Sequence, residues 1–131
     1  MKKGIVRGIS FLLIVLMIIS FSSCSKVEVI GNEMIAVFRY GEVDISKPLS
    51  DEDTKTIREI FDGKSLFSDS PSCGFGENVA LIIDGNAYCI ACDTCGIVYI
   101  VEKDKYLSLT DKENEIVRDL LCEYGFMLPC L

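Results

Sequence analysis

The stretch Val79–Val101, VALIIDGNAYCIACDTCGIVYIV, constrains the fold of this chain more than any other. Val79–Ile83 is apolar and rich in β-branched residues, the composition of a strand covered on one or both faces. Asp84-Gly85-Asn86 follows, and such Asp-Gly and Gly-Asn pairs tolerate positive φ and so signal a hairpin between β-prone runs. Ala87–Cys92 is the second expected strand and Ile97–Val101 the third, joined through Asp93-Thr94-Cys95-Gly96. The expected product is a three-stranded antiparallel meander, extended by Tyr106–Leu109 after the polar turn Lys103-Asp104-Lys105. A single buried helix through this region is disfavoured by Gly85, Gly96 and the β-branched density.

The segment before it reads in a similar way. Val27 and Val29 alternate with polar neighbours, and Gly31-Asn32 marks a turn. Met34–Tyr40 is an expected strand, Gly41-Glu42 a turn, and Val43–Ile45 a short strand that Pro48 must end, having no N–H to donate. Ser50-Asp51-Glu52-Asp53 is a helix start, with a capping hydroxyl and an acidic first turn. Ile57, Ile60 and Phe61 supply its apolar stripe and Gly63 its stop. A second helix opens on the capping box Thr110-Asp111-Lys112-Glu113, carries Ile116, Val117, Leu120, Leu121 and Tyr124 on one face, and closes at Gly125.

The two helices correspond residue by residue at a spacing of sixty: Ser50 with Thr110, Asp53 with Glu113, Ile57 with Val117, Ile60-Phe61 with Leu120-Leu121. Each follows a candidate hairpin. Two origins fit, a duplicated hairpin–helix unit or two independently capped amphipathic helices. The expected fold is therefore α+β, a mostly antiparallel sheet with two helices on one face. Between the units, residues 63–78 are polar and turn-rich, with Pro71, Gly74 and Gly76 excluding regular structure. Long loops of this kind carry binding function or are pinned by disulfides. The apolar tail Phe126–Leu131 is expected to be covered by the domain.

Met1–Ser23 has the composition of a targeting segment: Lys2, Lys3 and Arg7, then the apolar run Ile9–Phe21, shorter than the roughly 20 residues a spanning helix needs. Phe21-Ser22-Ser23-Cys24 resembles a bacterial lipobox, in which an apolar and two small residues precede the cysteine; Phe21 stands where Leu is usual. The resemblance covers residues 1–24 only. It implies a signal peptide over 1–23, covalent diacylglycerol on Cys24, and a single extracytoplasmic domain over 24–131. It also implies a lipid-anchored protein on the outer face of the cell membrane. Two or more acyl chains, at about 0.8 kcal/mol per buried methylene, hold such a protein firmly. An uncleaved membrane helix or an ordinary secretory signal is the competing reading.

Removing Lys2, Lys3 and Arg7 leaves ten of the 13 basic residues against 20 acidic ones, a net charge of −10. That balance argues against nucleic acid and against polybasic adhesion to anionic lipids. It suits solubility at a membrane surface, and is compatible with a cationic peptide or an envelope protein as partner. One domain of about 100 residues buries a modest core and benefits from covalent staples.

The cysteines carry what chemistry the sequence offers. Beyond Cys24 there are six, Cys73, Cys89, Cys92, Cys95, Cys122 and Cys130. An even number in an exported chain marks a disulfide framework. Cys92 and Cys95 flank a turn and lie within disulfide reach, whereas Cys89 and Cys92 point to opposite faces of one strand. Cys122 sits at the margin of its helix stripe, a place that also suits a buried free thiol. The favoured pairing joins Cys73 to Cys95.

Two sharper readings compete. Zinc has a ligand set in Cys73, Cys92, Cys95 and Cys130, although the chain contains no histidine. Cys92-Asp93-Thr94-Cys95 has redox spacing, but GIVYIV follows it, a strand rather than the helix N-terminus that activates such thiols. No Ser-His or Cys-His pair can form, and no nucleophile elbow or phosphate loop is present. The expectation is a non-enzymatic, cofactor-free binding or interaction module, such as an immunity protein, an inhibitor or an accessory subunit. A thiol-redox or metal-binding lipoprotein centred on Cys89–Cys95 is the alternative.

Overall fold

The computed structural model describes residues 25–130. The expected leader over 1–23, the expected acylation site Cys24 and the last residue, Leu131, lie outside the described residues. The chain forms six strands, β1 (Met34–Tyr40), β2 (Val43–Pro48), β3 (Val79–Ile83), β4 (Asn86–Ile90), β5 (Ile97–Ile100) and β6 (Lys105–Ser108). Helix α1 (Asp51–Phe61) follows β2, and α2 (Asp111–Glu123) follows β6. Every strand pair is antiparallel, in the order β2-β1-β3-β4-β5-β6. Among the described residues no helix is long and apolar enough to cross a membrane.

Register decides which side chains share a face. Phe38 pairs with Ile45 and Val79, Leu81 with Tyr88, Tyr88 with Ile100, and Val98 with Leu107. Strand residues alternate, so these line one face, and both helices cover it through Ile57, Phe61, Val117, Leu120 and Leu121. The Phe61 ring stacks on Tyr88 at 5.9 Å, and Phe126 of the tail lies 5.0 Å from Phe38. Tail burial follows the expectation for Phe126 and Cys130, while Met127 is exposed.

Both caps form where the sequence puts them. Asp53 N–H donates to Ser50 Oγ at 3.2 Å, and at Thr110 both halves of the capping box are present. Lys64 Nζ donates to the Glu113 carboxylate of that box and holds its pKa below the usual range. This contribution is present at neutral pH and lost as pH falls through the lowered pKa. The Tyr124 hydroxyl joins the helices: it accepts from Ser50 N–H at 2.9 Å and donates to Asp53 Oδ2 at 2.6 Å. Tyr124→Phe is expected to lower stability by about 1 kcal/mol, the net worth of a lost hydrogen bond, measured by urea unfolding.

The spacing of sixty extends to the strands. Residues 37–40 of β1 correspond to β5, and 45–48 of β2 to β6. These hairpins stand at opposite edges of the sheet, each edge strand leading into its capped helix.

Several boundaries and faces differ from expectation. β4 ends at Ile90, not Cys92, because the chain leaves the ladder for a turn with Thr94 at φ 60° and Gly96 at φ 77°. β2 continues to Pro48, which edge strands tolerate. Val27 and Val29 are buried outside any strand: Val27 bonds to Lys64 O and Gly63 N, and Val29 N–H to Asp62 Oδ1. Ile116, placed on the apolar face of its helix, is 38 % exposed, since only Val117, Leu120 and Leu121 reach the core.

Candidate functional site

The second face of the sheet carries Val37 and Ala80 towards its middle, then Cys89, Tyr99 and Tyr106. Helices do not cover it. The irregular segment 63–78 does so in part, and it is fastened at several points. Phe67 and Tyr106 exchange two backbone hydrogen bonds of 2.9 Å each, which closes the outer edge of β6. Phe75 then lays its ring 5.9 Å from Tyr99 and 5.6 Å from Tyr106, while Tyr99 and Tyr106 lie 4.9 Å apart. Between them Cys73 is bonded to Cys95, as the sequence favours. The chain from Phe75 to Glu77 therefore arches over β4 and β5.

Under the arch lies a hollow of about 280 Å³, lined by Phe75, Gly76, Glu77, Cys89, Tyr99 and Val101. Its floor is the Cys89 thiol, buried on β4, and the Glu77 carboxylate is exposed at its rim. Burial first, and then the negative charge of Glu77, push Cys89 up to about 11. Tyr99 donates from its hydroxyl to Asp104 Oδ1 at 2.9 Å, a bond that raises its pKa and fixes the ring.

The turn behind the hollow is held from below by α2. Asn114 Nδ2 donates to Thr94 O at 2.9 Å, and Leu109 N–H to Gly96 O at 2.7 Å. From this turn Cys95 reaches outward to Cys73, and Cys92 reaches to Cys130 in the tail. Cys92 and Cys95, although within reach of each other in sequence, thus have separate partners. Cys89 and Cys122, counted among the disulfide candidates, are free thiols: Cys89 points into the hollow, and Cys122 is exposed rather than buried. Cys122 sits at 122, beside the core position Leu121, on the outward side of α2.

The four cysteines of the zinc set fall into the two disulfides and do not converge. Ligand atoms of Cys73, Asp93 and Cys95 lie within 4.8 Å of one another, but the two sulfurs there are bonded to each other, leaving no thiolate to ligate. The residues that matter in the hollow, Phe75, Glu77 and Tyr99, escape sequence reasoning. A turn-rich loop with an aromatic residue beside a disulfide cysteine was the signal for the first two.

Two thiols per chain are expected to react in denaturant without reductant, besides any group on Cys24. In the folded protein at pH 8, Cys122 should react at least about tenfold faster than Cys89, because the thiolate is the nucleophile and Cys89 is held protonated. Mass spectrometry of alkylated peptides reads both, and a count of four or more overturns the pairing. The raised Cys89 pKa also predicts stability that is intact below about pH 9.0 and falls as pH rises towards 11.

No family model, no curated protein and no solved structure matches this chain.

Proposed function

We propose that this chain is a lipid-anchored, extracytoplasmic binding module, without catalytic activity, whose binding site is the hollow under residues 75–77. The observation that carries the reading is the arch itself: a loop without regular structure, pinned by Cys73–Cys95 across a sheet face that the helices leave uncovered, over a hollow that is open to solvent on one side. Loops positioned by a rigid scaffold are where binding is concentrated. The disulfides favour an oxidising compartment, in agreement with the leader over 1–23 and lipid at Cys24. With four sulfurs engaged in long-range bonds, their role is to brace the scaffold. The acidic balance of the domain favours a cationic ligand or partner.

Two measurements test this. Mass analysis of the protein purified from membranes should find residues 1–23 removed and a diacylglyceryl thioether on Cys24, and Cys24→Ser should abolish membrane retention. An intact Met1 or an unacylated sulfur overturns the anchor. Capture from solubilised envelopes on the immobilised full-length protein should then recover a ligand or partner that the Cys73→Ala/Cys95→Ala variant does not. Equal capture by both overturns the hollow as the site.

A further inference from the structure

The hollow has a chemical preference. Two aromatic rings, Phe75 and Tyr99, form a corner with centroids 5.9 Å apart, and Tyr106 backs both of them. Ring faces carry negative electrostatic potential and attract a cation placed over them. Glu77 adds a full negative charge at the rim, and none of the six lining residues is basic. Val101 and the Cys89 thiol complete an apolar floor and wall. Glu77 is close enough for its charge to oppose ionisation of Cys89 at the floor, where burial is the larger cause.

Size narrows the choice. The hollow, about 280 Å³ and open on one side, admits a small ligand. That volume is below the range typical of drug-sized sites, about 300–1,000 Å³. An anion would meet Glu77 and the ring faces with the wrong sign. A neutral apolar molecule would bury area but gain nothing from the Glu77 charge or from the ring faces.

We infer that the hollow binds a small free alkylammonium ion, with its charged head over Phe75 and Tyr99 beside Glu77 and its alkyl groups against Val101 and Cys89. The inference rests on the reading of the hollow as the binding site and names the ligand class for it.

The test uses the full-length acylated protein in a non-ionic detergent, titrated calorimetrically with choline and with its neutral isostere 3,3-dimethylbutan-1-ol. Choline is expected to bind at least tenfold more tightly than the isostere. Glu77→Gln, at an exposed position where folding is not at stake, should weaken choline at least fivefold and leave the isostere unchanged. Bound choline should also slow alkylation of Cys89 without affecting Cys122, which places it in the hollow. Equal binding of choline and isostere overturns the alkylammonium assignment while leaving a binding cavity. Tighter binding of N-acetyl-lysine amide than of choline overturns it in favour of a partner's side chain. Binding of none of the three overturns the alkylammonium assignment by itself, and equal capture by the Cys73→Ala/Cys95→Ala variant removes the site as well.

Discussion

Replacing Cys92 and Cys130 by alanine is expected to lower the unfolding free energy by roughly 4 kcal/mol, the value a chain-entropy estimate gives for a bridge across 38 residues. A small domain has a total stability of about 5–15 kcal/mol, so this single change brings the fold close to its threshold. The bridge holds the tail against the turn after β4, where Cys130 N–H also donates to Cys92 O at 3.1 Å. Without it the tail, with Phe126 buried against Phe38, is retained by packing and by backbone hydrogen bonds. Urea unfolding should show a lower midpoint together with a larger slope, because the denatured chain loses a constraint and exposes more surface. A loss under about 1 kcal/mol would mean that the two cysteines are not bonded in the folded protein. The shorter Cys73–Cys95 bridge, across 22 residues, should contribute roughly 3 kcal/mol by the same reasoning.

Phe38→Ala should be of similar size, about 3–5 kcal/mol. Phe38 is fully buried on the helix-covered face, with Ile45 beside it on one neighbouring strand and Val79 on the other. Truncation leaves a void above β1, whose backbone is fixed by pairing with β2 on one side and β3 on the other, so little collapse can refill it. Phe126 loses its ring partner at the same time, and the double variant Phe38→Ala/Phe126→Ala should show a coupling of about 0.5–1.5 kcal/mol. Chemical denaturation of the four proteins of that cycle is the measurement. Strict additivity would show that the tail ring contributes nothing to the core. Phe75→Ala, on the opposite face and half-exposed, should cost less than Phe38→Ala while opening the hollow.

What was legible in the sequence was what is decided locally. Ser50 and Thr110 cap their helices because a hydroxyl and an N–H three residues on need nothing from the rest of the fold. Asp84 and Gly85, at φ 50° and 80°, make the two-residue hairpin turn that their conformational freedom favours. The alternation and β-branching of residues 79–100 likewise give strands in meander order. The helix face of Ile116 was not legible, because a five-residue stripe is wider than the contact a helix makes on a twisted sheet. Cys73–Cys95 was the favoured pairing and is present, but the partner of Cys92 was not legible, since Cys130 lies 38 residues away in the tail. The hollow was least visible of all. It exists only because an irregular loop is bent over one half of a sheet face, and no periodicity records where a loop is bent to.

The two bridges overlap along the chain. One encloses residues 73 to 95 and the other 92 to 130, with 92 to 95 common to both. Every peptide bond from 73 to 130 therefore lies inside at least one closed covalent ring. A single proteolytic nick anywhere in that span severs the backbone yet releases no fragment, and the severed parts remain one molecule until the sulfur bonds are opened. Among the described residues, one cleavage divides the polypeptide only between 25 and 73, the part that contributes β1, β2 and α1.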